Sequence, residues 1–160
     1  MSSLGSPFFT GLFRHSLDDK NRLTIPSAWR PAKTKGKGKE DADAEKPVYL
    51  ATANPDGYIS VLPPDEVRKL HEKVAQVPMS DAAGQAQISA FFARAQAFSF
   101  DGQGRFAISD TLLKHAGLTK EVVLSGGLSK FNLYSPEKWA PVESKSDAES
   151  QADFMRRVGI

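Results

Sequence analysis

The chain contains no cysteine, which excludes disulfides, thiol nucleophiles and cysteine-ligated metals and gives no reason to expect an oxidising compartment. Its three histidines, His15, His71 and His115, stand far apart in sequence, so a histidine-only metal centre is not expected. No stretch approaches the roughly 20 apolar residues that a membrane-spanning helix needs, and the N-terminus has neither a basic start nor an apolar signal core. A cytoplasmic protein is therefore expected. Catalytic patterns are missing too: there is no nucleophile-elbow serine, no His-Glu-x-x-His pair and no phosphate-binding glycine loop. Gly102-Gln103-Gly104 lacks the strand-to-helix context of a dinucleotide fingerprint, and Asp18-Asp19 is a single carboxylate pair, a weak signal for a divalent cation. No catalytic residue, metal or cofactor is expected, and an enzyme is not.

What is present is an uneven distribution of charge. The net charge is only +2, yet eight basic residues from Arg14 to Lys39 face only Asp18 and Asp19, a local net of +6 that leaves −4 for the remainder. A chain polarised in this way can offer a basic face to phosphates while staying soluble elsewhere. A lysine-rich solvated loop would give the same count, so the charge alone does not decide for a nucleic-acid partner.

An internal repeat organises the sequence. Leu17-Asp18-Asp19-Lys20-Asn21-Arg22-Leu23-Thr24-Ile25 is matched by Phe100-Asp101-Gly102-Gln103-Gly104-Arg105-Phe106-Ala107-Ile108, both reading apolar-D-x-x-x-R-apolar-x-Ile. Downstream, Val48-Tyr49-Leu50 parallels Val122-Val123-Leu124, Tyr58 to Leu62 parallels Lys130 to Tyr134, and Pro64-Asp65-Glu66-Val67 parallels Pro136-Glu137-Lys138-Trp139. The first copy carries 11 extra residues, assigned to the stretch between Pro31 and Pro47. That stretch has no apolar residue beyond alanine and no periodicity, which predicts a flexible surface loop.

Local chemistry predicts the elements of each unit. Apolar residues flank the D-x-x-x-R loops at strand spacing, and Asn21 and Gly104, at equivalent loop positions, are residue types that tolerate positive φ. A hairpin is expected around each loop. Ser109 and Asp110 can cap a short helix through Leu112 and Leu113, with Gly117 to end it; Pro26, Ser27 and Pro31 bound the same region in the first copy. A second strand pair follows in each unit, turning at Asn54-Pro55-Asp56-Gly57 and at Ser125-Gly126-Gly127.

A unit of about 45 residues is too small to close a core alone without disulfides or metal, so the two copies are expected to share one. Between them, Val67, Leu70, Val74 and Val77, and then Ile88, Phe91, Phe92 and Ala95 beyond Pro78, fall at helical spacing. Two helices packed on the joined sheets are expected, with Phe91 and Phe92 in the core. The resulting organisation is a first repeat over 9–65 with a charged insertion at 32–47, a helical linker over 66–97, a second repeat over 98–141 and a polar C-terminal tail over 142–160. Its class is α+β. His15, matched by Phe98, is expected to face the core, and His115 to sit favourably at a helix C-terminus.

The two loops are the candidate functional residues. Asp18 and Asp101 can accept backbone N–H bonds or pair with Arg22 and Arg105, shaping the loop together with Asn21 and Gly104. An arginine fixed in this way suits phosphate and guanine, because its planar fork bonds two acceptors at once. Lys20 adds a mobile charge, Gln103 offers an amide at the matching position, and Arg14 contributes to the same basic run. An Asp–Arg pair can also serve only to staple its loop, but two copies on one joined surface would let a nucleic acid touch both.

The residues F-T-G-L-F-R-H-S-L-D-D-K-N-R-L-T-I-P-S-A-W-R, F-D-G-Q-G-R-F-A-I-S and H-A-G-L-T-K-E-V-V-L-S-G-G-L-S-K-F-N-L-Y-S-P-E-K-W together resemble the MraZ family, two-repeat members of the AbrB-like swapped-hairpin group, from about Phe9 to Trp139. The resemblance implies two pseudo-symmetric AbrB-like repeats of swapped-hairpin or double-ψ-like barrel type. It also implies a cytoplasmic, nucleoid-associated transcriptional regulator that forms ring-shaped homo-oligomers. Such a regulator binds repeated promoter boxes upstream of the division and cell-wall gene cluster headed by its own gene; for this chain a repressor is expected rather than an activator. On this pattern Arg22 and Arg105 would contact double-stranded DNA, with Lys20 beside them. The chain departs from the family pattern at Asn21, where glycine is usual, at Ser109, where proline is common, and in its longer charged insertion. The rival expectation is an oligomeric scaffold or ligand-sensing protein that self-associates through the same barrel without binding DNA.

Overall fold

A computed structural model describes residues 8–31 and 46–160. Nearly all of the charged insertion, including Lys33, Lys35, Lys37 and Lys39, lies outside the described residues. The chain forms an α+β structure with eight strands and five α-helices among the described residues. The strands are β1 (Leu12–Ser16), β2 (Arg22–Thr24), β3 (Tyr49–Asn54), β4 (Tyr58–Leu62), β5 (Gln96–Phe98), β6 (Arg105–Ala107), β7 (Glu121–Gly126) and β8 (Phe131–Tyr134). The helices are α1 (Pro64–Ala75), α2 (Ala82–Ala93), α3 (Asp110–Ala116), α4 (Pro136–Ser144) and α5 (Ala148–Val158), and a 3-10 turn covers Ser27–Trp29.

Six strands form one antiparallel sheet in the order β1-β7-β8-β4-β3-β5, and β2 and β6 form a separate two-stranded ribbon. The order is symmetric under exchange of the two repeats, and the outer strands are traded: β1 of the first repeat pairs with β7 of the second, while β5 of the second pairs with β3 of the first. The expected hairpins around the D-x-x-x-R loops therefore do not form as ladders. Each loop reverses its chain, but the strands on its two sides take partners from other parts of the fold. A three-residue strand such as β2 or β6 gains its ladder from its symmetry mate, as Arg22↔Ala107, Leu23↔Phe106 and Thr24↔Arg105.

The pairing also corrects the alignment of the repeats by one residue. His15 lies opposite Val122 and its counterpart Phe98 lies opposite Tyr49, so Tyr49, not Val48, corresponds to Val122. A one-residue slip moves every side chain to the other face of a sheet, and the burial agrees: Tyr49, Ala51 and Ala53 enter the core while Val48 is exposed. The compensating residue lies in the β3–β4 turn, so not all of the first copy's extra length falls in the charged insertion.

The shared core lies between the six-stranded sheet and the ribbon. Leu23 and Phe106, paired at the centre of the ribbon, are buried, and Phe106 stacks on Phe98 with ring centroids 3.7 Å apart. Each repeat adds core residues from its short helical element: Trp29 from the 3-10 turn, and Leu112, Leu113 and Ala116 from α3, all buried. Trp29 meets Phe9, Phe13 and Phe131 and donates its indole N–H to the Thr10 carbonyl at 3.0 Å. Apolar area removed from water at this density is the main stabilising term, about 25 cal/mol per Å².

The local expectations for α3 hold. The Ser109 hydroxyl accepts the Leu112 N–H and Gly117 ends the helix at φ 65°. Ser109 also uses the N–H that proline would lack, donating it to Gln96 Oε1 at 2.9 Å. In the first copy Pro26 precedes only the 3-10 turn.

Other expectations are revised. The second turn lies one residue beyond Gly126, and its left-handed residue is Leu128, φ 69°. Gly126 is needed for a different reason, because a Cβ there would stand 2.3 Å from the Phe9 carbonyl oxygen. The linker does form two helices separated around Pro78, but neither α1 nor α2 has a buried residue. Phe91 and Phe92 are half-buried, pack edge-on against each other and lie outside the core cluster. Helical spacing of apolar residues established an inner face, not how completely the sheet covers it. The segment expected as a polar tail carries the end of α4 and the whole of α5, which Asp147 caps through the Ser150 N–H.

Candidate nucleic-acid interface

The two D-x-x-x-R loops fold with the same set of hydrogen bonds. In the first, Asp18 Oδ1 accepts the backbone N–H groups of Lys20 and Arg22 at 2.9 and 2.8 Å, and Oδ2 accepts Arg22 Nε at 2.7 Å. In the second, Asp101 Oδ1 accepts those of Gln103 and Arg105 at 2.9 and 2.9 Å, and Oδ2 accepts Arg105 Nε at 2.9 Å. The aspartate N–H donates to the arginine carbonyl in both, at 3.0 Å. The fourth loop residue takes positive φ in both, 58° at Asn21 and 75° at Gly104.

These bonds set the electrostatics of the aspartates. The Arg22 N–H, with help from its guanidinium and the Lys20 N–H, holds the Asp18 carboxyl below its ordinary value against the opposing effect of desolvation. The Arg105 N–H does the same for Asp101. Both carboxylates are thus charged at neutral pH, and each spends its charge on the Nε of one guanidinium. Among the described residues no hydrogen bond occupies Nη1 or Nη2 of Arg22 or Arg105, so a planar pair of donors remains on each arginine.

The ribbon brings the two arginines together. Side chains alternate across a strand; Leu23 and Phe106 point inward, so Arg22, Thr24, Arg105 and Ala107 share the outer face. In this register Arg22 and Arg105 are diagonal neighbours, about 7–8 Å apart between backbones. The loops are also tied to each other: Ile25 N–H donates to the Gly104 carbonyl and Ile108 N–H to the Asn21 carbonyl, both at 3.0 Å. Each loop is therefore fixed by its own aspartate and by the other repeat.

The remaining sequence-derived residues are placed less evenly. Lys20 and Gln103 are exposed at equivalent loop positions. Arg14 is exposed on β1 on the face opposite Phe13 and His15, the face the ribbon packs against, so it stands apart from the two loops. His15 is half-buried and donates Nδ1–H to the Thr24 carbonyl at the end of β2, the inward role expected of it. The equivalent acceptor in the second repeat, the Ala107 carbonyl, is met instead by Gln96 Nε2 at 2.8 Å, from two positions before Phe98. His115 Nε2 donates to the Asn54 carbonyl in the β3–β4 turn.

One residue at this site has no counterpart in the sequence reading. Arg30, just beyond the 3-10 turn, lays its side chain over Gly104 and donates Nη1–H to the Gln103 carbonyl at 3.3 Å. A Cβ on Gly104 would stand 2.0 Å from Arg30 Nη1 and 2.4 Å from its Cδ. Leu113 occupies the equivalent place in the second repeat and is buried, so it offers the first loop no such donor. The only signal in the sequence was the glycine itself, where the other repeat has asparagine.

A family profile described as "MraZ protein, putative antitoxin-like" matches residues 91–159. Over nearly its whole length the chain is similar to proteins named "Transcriptional regulator MraZ". The relative from Clostridium acetobutylicum is 32% identical over 153 residues, covering 95% of this chain and 99% of that protein. Relatives from Clostridium beijerinckii and Thermomicrobium roseum are 33% identical over 153 residues and 35% identical over 148 residues. The chain belongs to the MraZ family. The MraZ profile takes in the whole second loop together with α3, α4 and α5, and the pairwise matches extend the likeness to the first loop as well. Among the described residues no helix is long and apolar enough to cross a membrane.

Proposed function

We propose that the protein is a sequence-specific DNA-binding transcriptional regulator whose two D-x-x-x-R loops face the duplex. The observation that carries this reading is the diagonal pair Arg22 and Arg105, each held through Nε by an aspartate and each presenting its two Nη groups on one outer face. A pre-positioned guanidinium loses little freedom on binding, and its fork matches phosphate oxygens or the O6 and N7 of guanine. Lys20 adds a phosphate contact. The exchanged outer strands and the separate ribbon agree with an AbrB-like swapped-hairpin arrangement of the repeats.

The function proposed for the chain is repression of its own division and cell-wall gene cluster, through repeated short boxes upstream of its own gene on the nucleoid. One pair of loops makes few phosphate contacts, and affinity for DNA grows with their number. A homo-oligomeric ring would set several pairs along repeated boxes and gain effective concentration at each. Self-association is supported by the exposed Phe154, Met155, Val158 and Ile160 at the C-terminal helix.

A fluorescence-anisotropy titration against the DNA upstream of the protein's own gene and a shuffled duplex, at several salt concentrations, tests the reading. Binding to the native DNA tighter by roughly a thousandfold or more is expected. Equal, steeply salt-dependent binding to both would reduce the protein to a nonspecific basic surface, and no binding to either would leave self-association as its role.

A further inference from the structure

The two loops share one hydrogen-bond pattern but not one chemistry. The first is Asp19-Lys20-Asn21, with an exposed carboxylate and an exposed ammonium at its tip. The second is Gly102-Gln103-Gly104, uncharged, with open space around the position a Gly102 side chain would occupy. Its backbone can come close to a base edge, and the exposed Gln103 amide offers the donor and acceptor that match adenine N7 and N6. At the first loop the Asp19 carboxylate keeps the backbone away from a polyanion, while the long stem of Lys20 reaches phosphate from a distance. Arg30 deepens the difference, because it holds the Gln103 carbonyl through Nη1 and packs over Gly104. At the equivalent place the second repeat has Leu113, which offers the first loop no such donor.

We infer from this that the loops divide the work: the second loop reads base edges through Gln103 and Arg105, with Arg30 as the residue that positions it, and the first loop anchors phosphates through Lys20 and Arg22. Base reading needs a group held still at a fixed height, whereas phosphate anchoring tolerates a mobile charge. Arg30 spends its guanidinium on the protein backbone and acts on DNA only through the loop it holds. This inference rests on the DNA-binding reading above.

The test compares Lys20→Ala, Gln103→Ala and Arg30→Met for affinity to the native upstream duplex and its shuffled control across a salt series, with thermal unfolding to confirm folding. Lys20→Ala is expected to weaken both duplexes alike and to lower the salt slope by about 1. Gln103→Ala is expected to lower the native-to-shuffled ratio about 5- to 150-fold with the slope unchanged, and Arg30→Met to lower the same ratio with shuffled-duplex affinity retained. A residue that served only folding would weaken both duplexes together, so that result for Arg30→Met would remove its positioning role. If Arg30→Met does not fold, the other two variants decide. A ratio unchanged in Gln103→Ala, or lowered in Lys20→Ala, would overturn the division of labour while leaving DNA binding intact. No binding by the unsubstituted protein would instead refute the DNA-binding reading itself.

Discussion

The D-x-x-x-R loops of the two repeats, Asp18 to Arg22 and Asp101 to Arg105, carry the same five-residue geometry with different residues inside it. Both aspartates accept two N–H groups and one Nε, and both loops turn through a left-handed fourth residue. The fourth residue is a half-buried asparagine in the first loop and a buried glycine, with Arg30 over it, in the second. Positive φ by itself does not demand glycine, since asparagine also tolerates the left-handed region. What demands it in the second loop is the arginine that occupies the Cβ position. The comparison separates two reasons for a glycine that a single loop would have merged.

Gly104 is the position at which the two loops should respond most differently to substitution. Gly104→Asn is expected to destabilise the protein by about 1–3 kcal/mol, the range for strain and displaced packing at a special backbone position. Asn21→Gly should stay within about 0.5 kcal/mol. Urea unfolding of both variants measures the difference. Equal costs would mean that Arg30 is displaced freely and that the loops are equivalent after all.

A smaller asymmetry lies after the loops, at Pro26 and Ser109. Ser109→Pro removes the N–H given to Gln96 and the hydroxyl that caps α3. A loss of about 1–2 kcal/mol is expected, read from the same unfolding curves, although proline stands at the matching place in the first repeat. A neutral result would show that the Gln96 brace adds nothing to the ribbon.

The smallest expected effect is one the loops share. Both aspartates have folded-state pKa values below the ordinary carboxylate value because the arginine N–H groups favour the charged form. The stability they contribute is therefore fully present above the unfolded aspartate pKa and is lost as pH falls through the lower folded values. Carboxyl-detected NMR of Asp18 and Asp101 should show both titrating low, with the Lys20, Arg22, Gln103 and Arg105 amide shifts moving in step. Titration of either at the ordinary value would mean that its clamp does not persist in solution.

The features legible in the sequence were those written in local chemistry. Asp18 and Asp101 as acceptors, Asn21 and Gly104 as left-handed residues, and the caps of α3 by Ser109 and Gly117 each depend on neighbours within a few positions. The strand exchange depends instead on which repeat supplies the partner, and nothing in the patterning of Leu12–Ser16 distinguishes β2 from β7 as its mate. Arg30 escaped for the same reason, since its contact with Gln103 spans 73 positions. The one-residue shift at Tyr49 followed from matching apolar residue types across a turn whose length differs between repeats. At Phe91 and Phe92 the periodicity was real, but full burial required a covering surface that the described residues of the chain do not provide.

Whether the paired, aspartate-held arginines bind DNA is decided by the double variant Arg22→Ala, Arg105→Ala. Its affinity for the native upstream duplex, measured alongside its sedimentation and thermal unfolding, is predicted to fall to that of the shuffled control or below, with assembly and fold retained. Undiminished specific binding by a folded, normally assembled double variant would place the interface elsewhere on the molecule.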